Sequence, residues 1–264
     1  MSRMQNRTSW QVTKSVWHAL FMREVLSRLF ANRFAWFWLF AEPVLLVMIM
    51  VGIRTFIRMM DSIAGIEMIP WMIVGLSTFF VFRSGMTRGM GAINANKGLF
   101  AYRQVKTVDT VFVRVFVEGL LYAILLIVFI LGLALMGYDM HPQNVIGVMI
   151  AWLSVWALGL AAGMVLSVVT SIIEEVGKIV KMISLPLMIL SGAFIPVQYM
   201  PHQIKEILLY NPILHGIESL RLAFFEGYWS VHGIDLFYLQ QWVLGLLLVG
   251  LALHIRFEAK LKAN

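Results

Sequence analysis

The residue types that could do chemistry in this chain are a handful of charges and amides set among long apolar runs. None is spaced for covalent catalysis. Gly177-Lys178 lacks the upstream glycine and the following Ser or Thr of a phosphate-cradling loop, so the chain should not bind ATP phosphates itself. No His-Glu-x-x-His occurs, and His18, His141, His202, His215, His232 and His254 show no metal-ligand spacing; they read as loop and interface residues. No Gly-x-Ser-x-Gly elbow marks a serine nucleophile. Cysteine is absent, which rules out disulfides and thiolate chemistry. The expectation is no catalytic residue and no metal.

Three charged features stand out instead. Arg114 and Glu118 are four apart, a spacing that predicts an ion pair along one helix face. Glu42-Pro43 puts a carboxylate inside an apolar segment, at a cost of about 2.5–3.5 kcal/mol. It is therefore either functional or paired, with Arg33 or with a neighbouring helix. The third is the polar stretch 91–110, Gly-Ala-Ile-Asn-Ala-Asn-Lys-Gly-Leu-Phe-Ala-Tyr-Arg-Gln-Val-Lys-Thr-Val-Asp-Thr. Lys97, Arg103 and Lys106 make it basic, and Ile93, Leu99, Phe100 and Tyr102 make it more apolar than a solvated linker needs. Two readings follow: a short helix at the membrane surface presenting an apolar knob to a cytoplasmic partner, or an interfacial loop whose aromatics dip among headgroups.

The elements that must position these residues are membrane helices. The chain has 264 residues, of which 60% are hydrophobic and 13% charged, with a mean hydropathy of +0.83. Soluble domains carry about 25% charged residues, so too little polar surface exists here to cover a soluble core. The net charge of +7 is assigned to basic cytoplasmic loops rather than to nucleic acid. Residues 1–33 lack the compact apolar core and cleavage site of a secretory signal peptide.

Six spans are expected, near residues 34–53, 69–82, 111–136, 145–169, 179–195 and 236–255, the first about the length that a bilayer requires and the second the weakest, being short and ending at Arg83. Ahead of them, residues 14–33 pattern as an amphipathic helix. Met22, Val25, Leu26, Leu29 and Phe30 lie on one face, and Arg23, Glu24, Ser27 and Arg28 on the other. Such a helix should lie flat in the cytoplasmic headgroup layer. Gly85 and Gly89, and Gly159 and Gly163, are small-xxx-small pairs that permit close helix approach. Residues 196–232 hold two short amphipathic segments broken by Asn211-Pro212, with a second stripe at Ile213, Ile217, Leu220 and Phe224. They are too polar to span and are expected as a re-entrant or surface-lying pair on the far side. All Lys and Arg residues but Arg54, Arg58, Lys205 and Arg221 then fall on one side, which places both termini in the cytoplasm.

This layout resembles the membrane subunit of type-2 ABC exporters, and within them the inner-membrane permease family of group 2 capsular polysaccharide export. The resemblance is carried by His18-Ala-Leu-Phe-Met-Arg-Glu24, by Glu42-Pro43, by residues 91–106 with Asp109-Thr110, and by Tyr210-Asn-Pro-Ile-Leu-His215 followed by Glu218. It covers essentially the whole chain. It implies an all-α polytopic membrane protein: a cytoplasmic N-terminus over residues 1–33, a six-span domain over 34–255 and a cytoplasmic tail over 256–264. It also implies a homodimer in the bacterial inner membrane that works with two copies of a separate ATP-binding subunit holding ATP and Mg. Asn94, Asn96, Lys97, Gly98, Leu99, Phe100, Tyr102 and Arg103 would form the coupling surface toward that subunit. Arg23, Glu24 and Arg28 would belong to the interface helix. The segment 196–232 would be a periplasmic gate, and Trp36, Phe37, Trp38, Glu42, Arg54 and Arg58 would border the path of a lipid-linked acidic polysaccharide on its way to periplasmic and outer-membrane export proteins. The alternatives are a type-2 permease for O-antigen, teichoic acid or small amphiphiles, and a polytopic membrane enzyme.

Overall fold

The computed structural model describes residues 8–30, 37, 41, 44–49, 52, 62–102 and 104–263. Helix α1 runs Ser9–Phe30. A tight antiparallel hairpin, β1 (Ser62–Ile63) and β2 (Ile66–Glu67), occupies the expected short loop. Ala64 and Gly65 turn it with positive φ, as a two-residue hairpin requires. Then follow α2 (Met68–Met90), a single turn α3 (Ala92–Ala95), a 3₁₀ turn (Lys97–Ala101), α4 (Thr107–Leu135), α5 (Val145–Ile172) and α6 (Glu175–Leu190). The chain ends with α7 (His202–Leu208), α8 (Pro212–Phe224) and α9 (Leu236–Ala263).

Among the described residues, four helices are long and apolar enough to cross a membrane: Met68–Met90, Thr107–Leu135, Val145–Ile172 and Leu236–Lys262. They correspond to the expected second, third, fourth and sixth spans. Of the expected first span only residues 37, 41, 44–49 and 52 are described, and all are helical. The expected fifth span, 179–195, is shorter and earlier. Helix α6 stops at Leu190, after 16 residues, or about 24 Å. The chain turns there at Gly192, whose φ is +69.

Helix α2 looks weakest as a span by sequence and is the centre of the structure. Its most apolar stretch is 83% buried inside the protein, against 33%, 33% and 17% for the other three. A helix that faces protein rather than lipid can carry Ser77, Thr78 and Ser84 along with glycine. The glycines make the approach possible. A Cβ on Gly89 would lie 2.9 Å from the Gly163 Cα, and one on Gly159 would lie 2.9 Å from the Phe82 carbonyl. The two expected small-xxx-small pairs therefore pack against each other, and α2 and α5 touch backbone to backbone.

The segment 196–232 departs from expectation in one helix. Helix α7 is surface-lying, with Ile204 and Ile207 exposed. Helix α8 is not. Asn211 caps it by accepting from Ile213 N at 3.0 Å, with Pro212 at its first position. Its stripe of Ile213, Ile217, Leu220 and Phe224 is buried, as the spacing predicts, and so are Glu218 and Arg221. These two form a 2.7 Å ion pair with both side chains fully buried. Arg221 also donates to the carbonyls of Gly192 (2.7 Å), Ala193 (3.0 Å) and Trp71 (3.4 Å), and lies 3.5 Å over the Trp71 ring. Glu218 accepts from Tyr228 Oη at 2.8 Å, and from Gln198 and Ser230. Burial pushes the Tyr228 phenol up, so it stays a donor. This network satisfies charges that would otherwise keep α8 at the surface, and the carbonyls freed where α6 ends find their donor in it. Gly75 leaves the space for the guanidinium: a Cβ there would overlap Arg221.

At the other end His254 is buried and bridges three helices, which corrects its reading as a loop or interface residue. Its Nδ1 lies 2.9 Å from Thr107 Oγ1 and its Nε2 lies 3.1 Å from Ser167 Oγ. Ser167 donates its own proton to the Met164 carbonyl, so Nε2–H donates to Ser167 and Nδ1 accepts from Thr107.

Two substitutions test this packing by thermal unfolding of the full chain in detergent. Gly163→Leu forces a side chain into the α2–α5 contact and is expected to cost at least about 1–3 kcal/mol, while Gly132→Leu, where a Cβ meets nothing within 4 Å, leaves the melting temperature unchanged. Arg221→Met strands a buried carboxylate and is expected to cost about 3–5 kcal/mol, with Glu218→Gln in the same chain recovering much of the loss. Equal melting temperatures for Gly163→Leu and Gly132→Leu would contradict the backbone contact.

Candidate functional site

The polar stretch 91–110 folds as a chain of tight turns, closed by Ala95 N to Gly91 O (3.1 Å), Leu99 N to Asn96 O (2.9 Å), Tyr102 N to Leu99 O (3.0 Å) and Val105 N to Tyr102 O (3.0 Å). It is not a free loop. Ile93, Phe100 and Val105 are buried in a cluster with Val168 of α5 and Leu261 of α9, and Leu99 packs beside them. This corrects the knob reading in part. Ile93 and Phe100 face inward and anchor the segment, because they are the apolar residues that the α5 and α9 ends can cover. Asn94, Lys97, Gly98 and Tyr102 remain outward, with Tyr102 65% exposed. A Cβ on Gly98 would meet nothing within 4 Å. Asn96 is buried as a brace: its Nδ2 donates to the Ala92 carbonyl at 2.8 Å, and its Oδ1 accepts from Arg23 at 2.8 Å.

Helix α1 docks against this region through its polar residues. Trp17 Nε1 donates to Asp109 Oδ1 at 2.8 Å, and its ring stacks on Phe112. Asp109 also accepts from Lys106 N at the start of α4, where a negative charge is favoured. Glu24 pairs with Arg114 at 3.0 Å, and Arg114 reaches the Gly91 carbonyl at 3.3 Å. Arg28 pairs with Glu118 at 2.8 Å. Trp17, Glu24 and Arg28 sit at i, i+7 and i+11, on one helix face. Met22, Leu26 and Phe30 are left exposed outward. The protein-facing side mixes the two expected faces: Glu24 and Arg28 turn inward beside buried Leu20 and beside Phe21, which packs on Phe116, while Arg23 and Ser27 are exposed.

The expected Arg114–Glu118 pair is therefore not made. Each residue is drawn to α1 instead, and Glu118 also meets Arg88 of α2 at 3.3 Å and accepts from Ser84 Oγ at 2.6 Å. Glu118 is 1% exposed, so a carboxylate with two guanidiniums and a hydroxyl is far better neutralised than by one neighbour on its own helix. Sequence reasoning missed Arg88 and Ser84 as partners. The available signal was an ionisable residue inside an apolar run, which requires a partner from somewhere.

Of the other expected site residues, Trp36, Trp38, Glu42, Arg54, Arg58 and Arg103 lie outside the described residues. Phe37 is helical and 48% exposed. Among the described residues no group of three His, Asp or Glu converges as a metal site.

Residues 15–225 match the family described as ABC-2 type transporter. The chain is 33% identical over 256 residues to an Escherichia coli protein named polysialic acid transport protein KpsM, covering 97% of this chain and 98% of that one. It is 31% identical over 247 residues to the Neisseria meningitidis capsule polysaccharide export inner-membrane protein CtrC, with 94% and 92% covered. It is 32% identical over 219 residues to the Haemophilus influenzae capsule polysaccharide export inner-membrane protein BexB, with 83% and 82% covered. With nearly its whole length aligned and its apolar helices surrounding a central α2, the chain belongs to the ABC-2 type transporter membrane family.

Proposed function

We propose that this chain is the membrane permease subunit of an ATP-driven exporter that carries a lipid-linked, acidic capsular polysaccharide out of the cytoplasm. The observation that carries the reading is the similarity, along almost the full chain, to proteins named for polysialic acid transport and capsule polysaccharide export. ATP and Mg belong to a separate ATP-binding subunit, two copies of which serve a homodimer of this chain. The protein is a multi-pass inner-membrane protein with both termini in the cytoplasm and six spans. The cargo continues toward periplasmic and outer-membrane export proteins.

The 91–110 segment is the coupling element. Asn94, Lys97, Gly98 and Tyr102 meet the ATP-binding subunit, with Arg103 between them and the start of α4. Anchored residues Ile93 and Phe100 make the segment a lever rather than a tether. A push on Tyr102 is transmitted to α5 and α9 through Val168 and Leu261, and to α1 through Asn96 and Arg23. Helix α1 is the interface helix. The 196–232 segment is the periplasmic gate, with α8 as its fixed half and α7 as its surface half. Trp36, Phe37, Trp38, Glu42, Arg54 and Arg58 border the cargo path.

Two experiments test these assignments. Deleting the chain and staining intact and permeabilised cells for polysaccharide is expected to show glycan trapped inside with none at the surface. Normal surface glycan would sink the polysaccharide reading and favour an exporter of small amphiphiles. The second uses the absence of native cysteine. Tyr102→Cys in the assembled transporter is expected to cross-link to the ATP-binding subunit, and Val145→Cys, at the far end of α5, is not; cross-linking at neither position would refute the coupling assignment.

A further inference from the structure

His215 is read from the sequence as a loop or interface residue, yet it lies inside α8 and is 3% exposed. Both of its ring nitrogens are engaged by backbone. Nε2 lies 2.7 Å from the carbonyl of Leu209, the residue directly after α7. Nδ1 accepts at 2.9 Å from the amide of Asp235, the residue directly before α9. A carbonyl can only accept and a backbone N–H can only donate. The ring is therefore neutral, with its proton on Nε2 and a lone pair on Nδ1. In this form one side chain of α8 holds the end of α7 to the start of α9.

A second proton, on Nδ1, is incompatible with this arrangement, because it would face the Asp235 N–H. The ring is not sealed from protons. A cavity of ≈ 680 Å³ reaches it, lined also by Glu206, Tyr210, Asp235 and Tyr238. The charges on that cavity favour the cation. Asp235 is one, and the other is Glu206 of α7, 3.2 Å from exposed His202. Lys205 and His232 line the neighbouring cavity. On α8 itself, Glu218 and Arg221 are paired with each other. Tyr238 of α9 sets its ring 4.7 Å from the imidazole and donates its hydroxyl to the Tyr210 carbonyl. Helix α5, which packs on this stretch at Gly216, carries no titratable side chain. Arg83 and Arg88, the charges of α2, lie toward its other end.

We propose that His215 is a proton-operated latch: neutral, it ties α7 to α9; protonated, it releases the 232–235 turn. Asp235 serves both states. It carries the amide that is expelled and a carboxylate on the same cavity, so a rotation of the turn exchanges one for the other. The carboxylate then leaves the Phe237 amide, from which it accepts at 2.8 Å. Ile234, packed beside Val197, Leu208 and Leu214, moves with the turn. The latch is closed at high pH and opens as pH falls, because the added proton is what breaks the Asp235 contact. Histidine is the side chain suited to this, since its charge changes between about pH 5 and 8. The latch lies beside the segment proposed as a gate and does not rest on that reading.

The test measures hydrogen exchange at single-residue resolution in the purified full chain in dodecyl maltoside, corrected for the intrinsic effect of pH. Protection of the Asp235 amide is expected to fall at least about fivefold from about pH 7.5 to about pH 5.5, with α5 unchanged. In H215N, whose amide oxygen can accept from Asp235 without titrating, protection is expected to be equal at the two pH values. D235N, at an exposed residue, keeps the backbone amide but removes the carboxylate that receives the protonated ring. It is expected to move the midpoint of the change to lower pH. Equal protection at both pH values in the unaltered chain would overturn the latch, and so would an undiminished fall in H215N. A fall of the same size throughout α5 would overturn it as well, because it reports global loosening. Should H215N fail to fold, an unmoved midpoint in D235N overturns the latch instead. Because the readout is exchange in purified protein, a chain that exports no glycan yet shows the pH dependence would refute the export reading and leave the latch standing.

Discussion

The architecture depends on one close approach, α2 against α5. Lipid offers no hydrophobic drive to bring two apolar helices together, so association rests on contact between backbones and on satisfied polar groups. Gly85, Gly89, Gly159 and Gly163 supply that contact by removing the side chains that would hold the axes apart. Once α2 is enclosed by α4, α5 and α8, its polar residues face protein, and both of its ends become places where charges can be buried with partners. The buried clusters described above sit at those two ends.

The two clusters do different jobs with the same physics. At one end Arg221 gathers the carbonyls of Gly192 and Ala193, released where α6 stops, and balances Glu218. Irregular backbone is tolerated at membrane depth only when protein satisfies it in this way. At the other end Glu118 collects Arg28 and Arg88, and so ties α1 to α2 and α4. The first arrangement is closed, with both side chains fully buried, and it fixes α8 in place. The second is open on one side, where Arg28 and Arg88 line a cleft. Movement of the 91–110 segment would be felt at the second cluster, through Arg114 and Asn96, before it could reach the first.

Much of this was legible in the chain itself. Hydropathy gave four of the long apolar helices with starts within four residues of those observed, although α2 and α9 run eight residues past their expected ends; the spacing of glycines gave the helix crossing, and Asn211-Pro212 gave the start of α8. The apolar excess of 91–110 marked it as more than a linker. The misreadings share a cause. Arg114 with Glu118, the facing of α1, the inward turn of Phe100 and the burial of His254 were all judged from neighbours along one helix or loop. Each was settled by residues 30 or more positions away.

What the sequence by itself determined is the class of protein, its apolar helices, the residues able to bury their faces and the signature of its family, because these follow from local composition and fixed helical periods. What only the tertiary structure decided is which charge meets which. A buried carboxylate takes the arrangement that best neutralises it, so Glu118 passes over the arginine one turn away for Arg28 and Arg88. A polar helix such as α8 enters the interior only because Trp71, Gln198, Tyr228 and Ser230 arrive from elsewhere to receive its charges. Partners of that kind are chosen by distance in space, which the order of residues along the chain does not record.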